Sequence, residues 1–322
     1  MTSIFPTLAL DRAQSRWEEH LLTTTPWEFQ QGIWFKREDQ FAPLGYGGPN
    51  GSKMRQLIWY VDRYRQDKER IVTGASVQSP QLSMTAIVGA HYGLPVVEVM
   101  CSLPNSVMRH SQPAIAAGFG ATFDFVRGPY NPIIQRRVKQ FETNATLTVP
   151  YGISMPIAQF STKEVRAFHE TGARQVENIP PQVRRLIVPA GSCNTLCSVL
   201  LGLQTYDHNV EELFTIGIGP DKMDWVGERM AHMGLPDTLG PSVPRWRHYS
   251  LHDNKYSTYD QKFKGERFRG INFHPTYEAK MWRWLKENHE LRFDGSDGFW
   301  IVGAEAKREV VEPFYTHREA VL

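Results

Sequence analysis

The sequence predicts an α/β protein of twisted, mostly parallel sheets flanked by helices. Three observations point there. Short β-branched runs alternate with helical stretches in both halves of the chain, and Gly and Pro punctuate the boundaries. Helices between consecutive strands are the mark of βαβ units. Hydrophobic residues make up 41% and charged residues 22% of 322, which supplies a sizeable core and excludes a disordered chain. The length suits one or two domains.

Taken in order, 69–74 (ERIVTG) reads as a buried strand, followed by a helix over 81–93 that ends at Gly93. A strand over 94–101, a mostly helical stretch over 106–120 and a strand over 121–126 complete the first series. In the second, 184–191 (RRLIVPAG) leads into a helix over 194–203, and 213–219 (LFTIGIG) into one over 222–234. The stretch 235–272, rich in Pro, Gly, Arg and aromatic residues, is expected to be irregular.

Charge and cysteine content narrow the function. Lys plus Arg is 36 against 34 for Asp plus Glu, so the chain as a whole is no electrostatic nucleic-acid binder, although a local patch is compatible with this. No apolar run is long enough to span a membrane, and the N-terminus does not read as a secretory signal. Cys101, Cys193 and Cys197 form no disulfide framework and fit a reducing, cytoplasmic setting. No metal-ligand set is expected, because Cys193 and Cys197 have no third partner nearby in sequence and read as small core residues.

In open α/β sheets ligands sit beyond the carboxyl ends of the strands, so chemistry is expected at the strand-to-helix junctions. Gly45, Gly47, Gly48 and Gly51 make a permissive loop before Ser52, an expected N-cap, and Lys53 then opens an amphipathic helix. A lysine there sits in positive potential that favours the neutral amine needed for Schiff-base chemistry. Taken alone it reads sooner as a surface lysine on an amphipathic helix, and the spacing does not fit a phosphate-binding Gly-Lys-Ser/Thr loop. Gln78, Ser79 and Gln81 place polar groups at the next junction, with Pro80 in the first helical turn. Around Gly191, Ser192 and Thr195, free N–H groups at a helix start suit a phosphate dianion. Tyr277 and Glu278 open a helix carrying Met281, Trp282 and Leu285; Glu278 complements the helix dipole or partners a buried cation.

In this order the four segments resemble the pyridoxal-phosphate (PLP) enzymes of the tryptophan-synthase-β fold group, fold type II. The nearest branch is that of 1-aminocyclopropane-1-carboxylate deaminase and D-cysteine desulfhydrase. The resemblance is carried by KRED (36–39) with Gly51-Ser52-Lys53-Met54-Arg55, by Gln78-Ser79-Pro80-Gln81, by Ala190-Gly191-Ser192 through Thr195, and by His274-Pro275-Thr276-Tyr277-Glu278-Ala279-Lys280. It implies a two-domain fold, with 54–148 as the smaller domain and 1–53 plus 149–322 as the larger, PLP-binding one. It implies that Lys53 carries PLP as a Schiff base and moves protons at the substrate Cα. Gly191, Ser192, Cys193, Asn194 and Thr195 would cradle the phosphate, an ionised Glu278 would face the pyridine nitrogen, and Ser79 and Tyr277 would lie at the substrate. The implied reaction is of deaminase or lyase type on a small amino-acid-like substrate. Members of the group are often dimers, so the resemblance allows a homodimer. Three departures bear on the substrate: Pro80 stands where the family has Asn, Cys193 and Asn194 where relatives often have small residues, and GFWIVGAEAK (298–307) where relatives tend to carry His-x-Gly-Gly.

The stretch 245–269 holds seven basic and three acidic residues, a local excess larger than that of the whole chain, interleaved with Trp246, Tyr249, Tyr256, Tyr259, Phe263 and Phe268. Basic groups neutralise phosphates and aromatic faces stack on bases, but a solvated loop whose aromatics fill the core reads the same way. With the insert, the chain also resembles fold-group relatives that some bacterial viruses encode for DNA hypermodification; that resemblance implies a second reading, a bacteriophage enzyme that decarboxylates or rearranges an amino-acid-modified thymine such as glycyl-thymidine, in a nucleotide or in DNA, within the host cytoplasm. A third is a non-catalytic binding relative, motivated by Pro80.

Overall fold

The computed structural model describes residues 20–128, 131–235, 245–252 and 261–317. In chain order its principal elements are β1 (Trp27–Gln30), β2 (Ile33–Arg37), α1 (Ser52–Tyr64), β3 (Arg70–Gly74), α2 (Pro80–Tyr92), β4 (Val96–Cys101), α3 (Ser111–Gly118), β5 (Thr122–Val126), α4 (Asn131–Lys139) and β6 (Thr146–Val149). There follow α5 (Thr162–Ala173), β7 (Arg185–Ala190), α6 (Asn194–Thr205), β8 (Glu212–Gly217), α7 (Met223–His232), β9 (Arg245–Ser250), β10 (Arg267–Phe268), β11 (Ile271–Asn272), α8 (Glu278–Glu287), β12 (Asp297–Ile301) and α9 (Arg308–Val311). The chain divides into two units. Where they are described, one takes in Ala42–Met155 and Glu305–Leu322, and the other takes in Glu19–Phe41 and Pro156–Ala304.

The first unit is a parallel four-stranded sheet in the order β5-β4-β3-β6. Ile134 and Val138 of α4 pack with Val72 and Val99. Leu82 of α2 packs with Ala75, Met100 and Val107. Helix α2 is buried along Gln81–Gly89, which explains why its sequence is apolar on all sides rather than along one stripe. Ser79 caps it, Pro80 is its first residue, and Gly93 ends it in the left-handed region.

The second unit holds a six-stranded sheet in the order β1-β2-β12-β7-β8-β9. Only β1 runs antiparallel to its neighbour. The registers Ile301↔Arg37, Ala190↔Gly217 and Gly217↔Ser250 bring the carboxyl ends of the parallel strands to one edge. Helix α8 supplies Trp282, Trp284, Met281 and Leu285 to a core with Phe35, Ile187, Phe214 and Phe299. Among the described residues no helix is long and apolar enough to cross a membrane.

Two expectations are corrected. Helix α1 starts at Ser52, with Gly51 at φ 91 in the cap position, so Lys53 is its second residue and Ser52 is not the cap. Glycine meets the positive φ there without strain. The stretch 235–272 is not wholly irregular: 245–250 form β9, which extends the sheet in parallel register, and 267–272 form a tight hairpin. The strand escaped notice because ion pairs and stacking, not an apolar run, hold it. Arg247 Nε bonds Glu212 Oε1 at 2.5 Å, and the Tyr249 ring stacks 4.2 Å from that of Trp284. Strands β1, β2, β6 and β12 are likewise not among the expected strands.

Candidate active site

In the second unit, the turn after β7 reaches the start of α6 through Gly191, Ser192 and Cys193. Cys193 sits at φ 66, unusual for a residue with a side chain, and its thiol lies 3.8 Å from the Gly191 carbonyl oxygen. Burial pushes that thiol up to about 11, with Lys222 opposing and Asp221 adding to the shift, so it is no nucleophile at neutral pH. The N–H groups of a helix's first turn carry positive partial charge, so the start of α6 has the chemistry of an anion seat. A Cβ added at Gly191 would meet Tyr277 Cε1 at 3.0 Å. The turn and the Tyr277 ring are therefore neighbours, and glycine is what lets them be.

Tyr277 is the cap residue of α8, and Glu278 is the helix's first residue and fully buried. Glu278 Oε1 accepts a 2.7 Å hydrogen bond from the Val302 N–H, just past β12. Oε2 is buried and has no hydrogen-bond partner among the described residues. Burial pushes the carboxyl from 4.5 up to about 8, and nearby Asp39 adds to the shift, while N–H groups of Glu278, Val302 and Gly303 oppose it. By itself the group keeps its proton at neutral pH, and a cation opposite Oε2 would ionise it. This qualifies the expectation of an ionised acid at 278.

The side chains of the KRED stretch form a buried polar lattice, with Asp39 near enough to Glu278 to act on its carboxyl. Arg37 forks onto Asp39 at 2.9 and 2.8 Å and reaches Glu28 at 2.6 Å. Lys36 Nζ donates to the Thr25 carbonyl and to Asn178 Oδ1, both at 2.7 Å. Thr25 Oγ1 donates to Glu38 at 2.6 Å.

In the first unit, Lys53 is half-buried in the opening turn of α1. Ser79 is half-buried, and its Oγ accepts from the Gln81 N–H at 3.3 Å. Gln81 is taken up structurally. Its amide donates to Thr73 Oγ1 at 2.8 Å and to the Pro150 carbonyl at 2.9 Å, and its oxygen accepts from the Gly152 N–H at 2.8 Å.

The structure thus brings Gly191–Thr195 together with Tyr277 and Glu278 within one unit, while Lys53 and Ser79 belong to the other. Sequence reasoning missed the backbone of Val302 and the neighbouring Asp39. The first lies in the segment singled out as a family departure, and a glycine-flanked apolar run ending there was its signal.

No family model matches the chain. A curated relative, the O-seryl-dTMP PLP-dependent decarboxylase of Salmonella phage ViI, is 30% identical over 94% of this chain and 87% of its own length. The chain belongs to the fold type II PLP enzymes. Solved structures of the fold agree. An ACC deaminase homologue superposes with TM-score 0.68 at 17% identity, covering 95% of this chain and 96% of that one. Cysteine synthase from Entamoeba histolytica gives 0.57 at 15%, covering 94% and 92%. Membership brings the cofactor, PLP, and this fold type II enzyme offers features that fit it. The turn at Gly191 leaves room where a Cβ would crowd Tyr277, and Glu278 Oε2 is a buried oxygen with no partner among the described residues.

Proposed function

We propose that this enzyme decarboxylates an amino-acid-modified thymidine nucleotide. The observation that carries the reading is the relative named for O-seryl-dTMP, which matches nearly the whole chain. Bound PLP would act as an electron sink for the pair left at Cα when a bond there breaks. The residues have separable tasks. Lys53 holds the cofactor through its amine and delivers a proton to Cα after the carboxylate has left. The N–H groups of Gly191–Thr195 seat the cofactor phosphate. Glu278 Oε2 accepts from the ring nitrogen and keeps it protonated. Tyr277, beside the phosphate turn, and Ser79, with a hydroxyl hydrogen to donate, orient the substrate.

The basic stretch supports a nucleotide in DNA as the substrate form. Arg247 is engaged by Glu212 and Glu290, and Phe263 and Phe268 pack against the core, so part of the insert is structural. Arg245, Lys264, Arg267 and Arg269 are exposed. Arg269 stands at the hairpin turn at φ 47, where Asn, Asp or Gly is the ordinary choice. A guanidinium is thus held outward at a position whose backbone disfavours it. Asp253, Lys255, Tyr256, Tyr259 and Asp260 lie outside the described residues.

The test is to incubate PLP-loaded protein with O-seryl-dTMP, free and within an oligonucleotide, and to follow the products by mass spectrometry. Loss of CO2 with amine and thymidine retained is expected. Ammonia or a keto acid released from 1-aminocyclopropane-1-carboxylate, D-cysteine or serine, with O-seryl-dTMP unchanged, would replace this reading with a deaminase or β-eliminating lyase.

A further inference from the structure

Behind the phosphate turn lies a buried polar relay that the reaction above does not use. His169 on α5 is fully buried, and Ser198 on α6 and Arg229 on α7 are each 1% exposed. His169 Nδ1 lies 3.0 Å from Ser198 Oγ, and its Nε2 lies 3.1 Å from Arg229 Nη1. The Asn194 carbonyl, at the first residue of α6, also faces the imidazole. The Arg229 guanidinium stands 4.5 Å over the Trp225 ring on its own helix. Helices α5 and α6 approach closely because Gly172 has no side chain; a Cβ there would lie 2.8 Å from Ser198 Cβ.

The donor and acceptor inventory fixes the proton. A guanidinium only donates, so Nε2 must present its lone pair to Arg229. The hydrogen of the neutral ring then sits on Nδ1, pointing at the first turn of α6. Burial and the adjacent guanidinium both hold His169 well below its ordinary pKa, so the ring stays neutral. One buried cation thereby selects a tautomer, and the tautomer grips the turn of helix whose N–H groups face the anion seat.

We propose that Arg229 and His169 are positioning residues for the PLP phosphate: the guanidinium fixes the imidazole, and the imidazole fixes the Asn194–Ser198 turn that aims the phosphate-binding N–H groups. The proposal rests on the reading of Gly191–Thr195 as the phosphate seat. Reorienting donors to a buried dianion weakens its binding steeply, whereas a ligand lacking the phosphate does not sense them.

The experiment measures binding of PLP and of pyridoxal, which lacks the phosphate, to the cofactor-free full chain by Schiff-base absorbance. His169→Leu is expected to weaken PLP binding about tenfold or more while leaving pyridoxal within about twofold. Ser198→Ala, the milder change, should move PLP in the same direction. His169→Asn keeps an N–H near the place of Nδ1 and should restore most of the loss. Equal weakening of both ligands marks a merely structural role and overturns the proposal, as does unchanged PLP binding in both His169→Leu and Ser198→Ala. A wild-type chain that holds pyridoxal as tightly as PLP would instead sink the phosphate seat itself, and this proposal with it.

Discussion

Replacing Glu278 by Gln tests the ring-nitrogen assignment at nearly constant shape. Without cofactor the buried carboxyl has its pKa pushed from 4.5 to about 8. Above 4.5 the unfolded chain has released a proton that the folded chain still binds. The stability this group contributes is fully present below 4.5 and is lost as pH rises through 8, at about 1.4 kcal/mol per pH unit. From about pH 5.5 to about pH 7.5 the loss is about 3 kcal/mol. Glutamine does not titrate. In urea unfolding of the cofactor-free protein, followed by the fluorescence of Trp282 and Trp284 in the same unit, the variant should gain about 3 kcal/mol on the wild type across that interval. Glu98, also buried and raised well above its ordinary value, titrates in both proteins and drops out of the difference. With PLP bound the gap should narrow, because a cation opposite Oε2 favours the carboxylate, and on the proposed substrate the variant's PLP-dependent turnover should fall about 100-fold. Parallel stability curves for the two cofactor-free proteins would refute the account of Glu278 given above.

Lys53→Ala should abolish borohydride-fixed attachment of PLP to the chain and lower the rate about 1000-fold or more; peptide mapping that finds the fixed cofactor on another lysine would refute the role. Gly191→Ala places a Cβ 3.0 Å from Tyr277 Cε1, and PLP affinity should drop about tenfold, whereas Gly227→Ala, with no atom of the described residues within 4 Å, should leave it unchanged. Arg267→Gln with Arg269→Gln should make the salt dependence of oligonucleotide binding shallower by about 2 in the log–log slope, read from titrations at several salt concentrations; an unchanged slope removes that hairpin from the interface.

The order of strands and helices in 69–126 and 184–234 was legible because β3, β4, β7 and β8 are apolar runs that end up largely buried, and because α2 begins and ends with cap residues. The Ser79-Pro80 start and the Gly93 stop are local chemistry, and local chemistry is written in neighbouring residues. Strand β9 was not legible, since Arg245, Arg247 and Tyr249 become a strand only when Glu212, Glu290 and Trp284 arrive from elsewhere in the chain. The KRED stretch served well as a marker of resemblance, yet its side chains are spent on Thr25, Glu28 and Asn178.

The sequence by itself determined the α/β class and the four junctions where chemistry could reside, because capping groups, glycine turns and hydrophobic periodicity act over a few residues. Only the tertiary structure decided the protonation of Glu278, its bond to Val302 twenty-four residues on, and the tautomer of His169. Those are set by desolvation and by partners distant in sequence, and neither exists until the chain has folded around them.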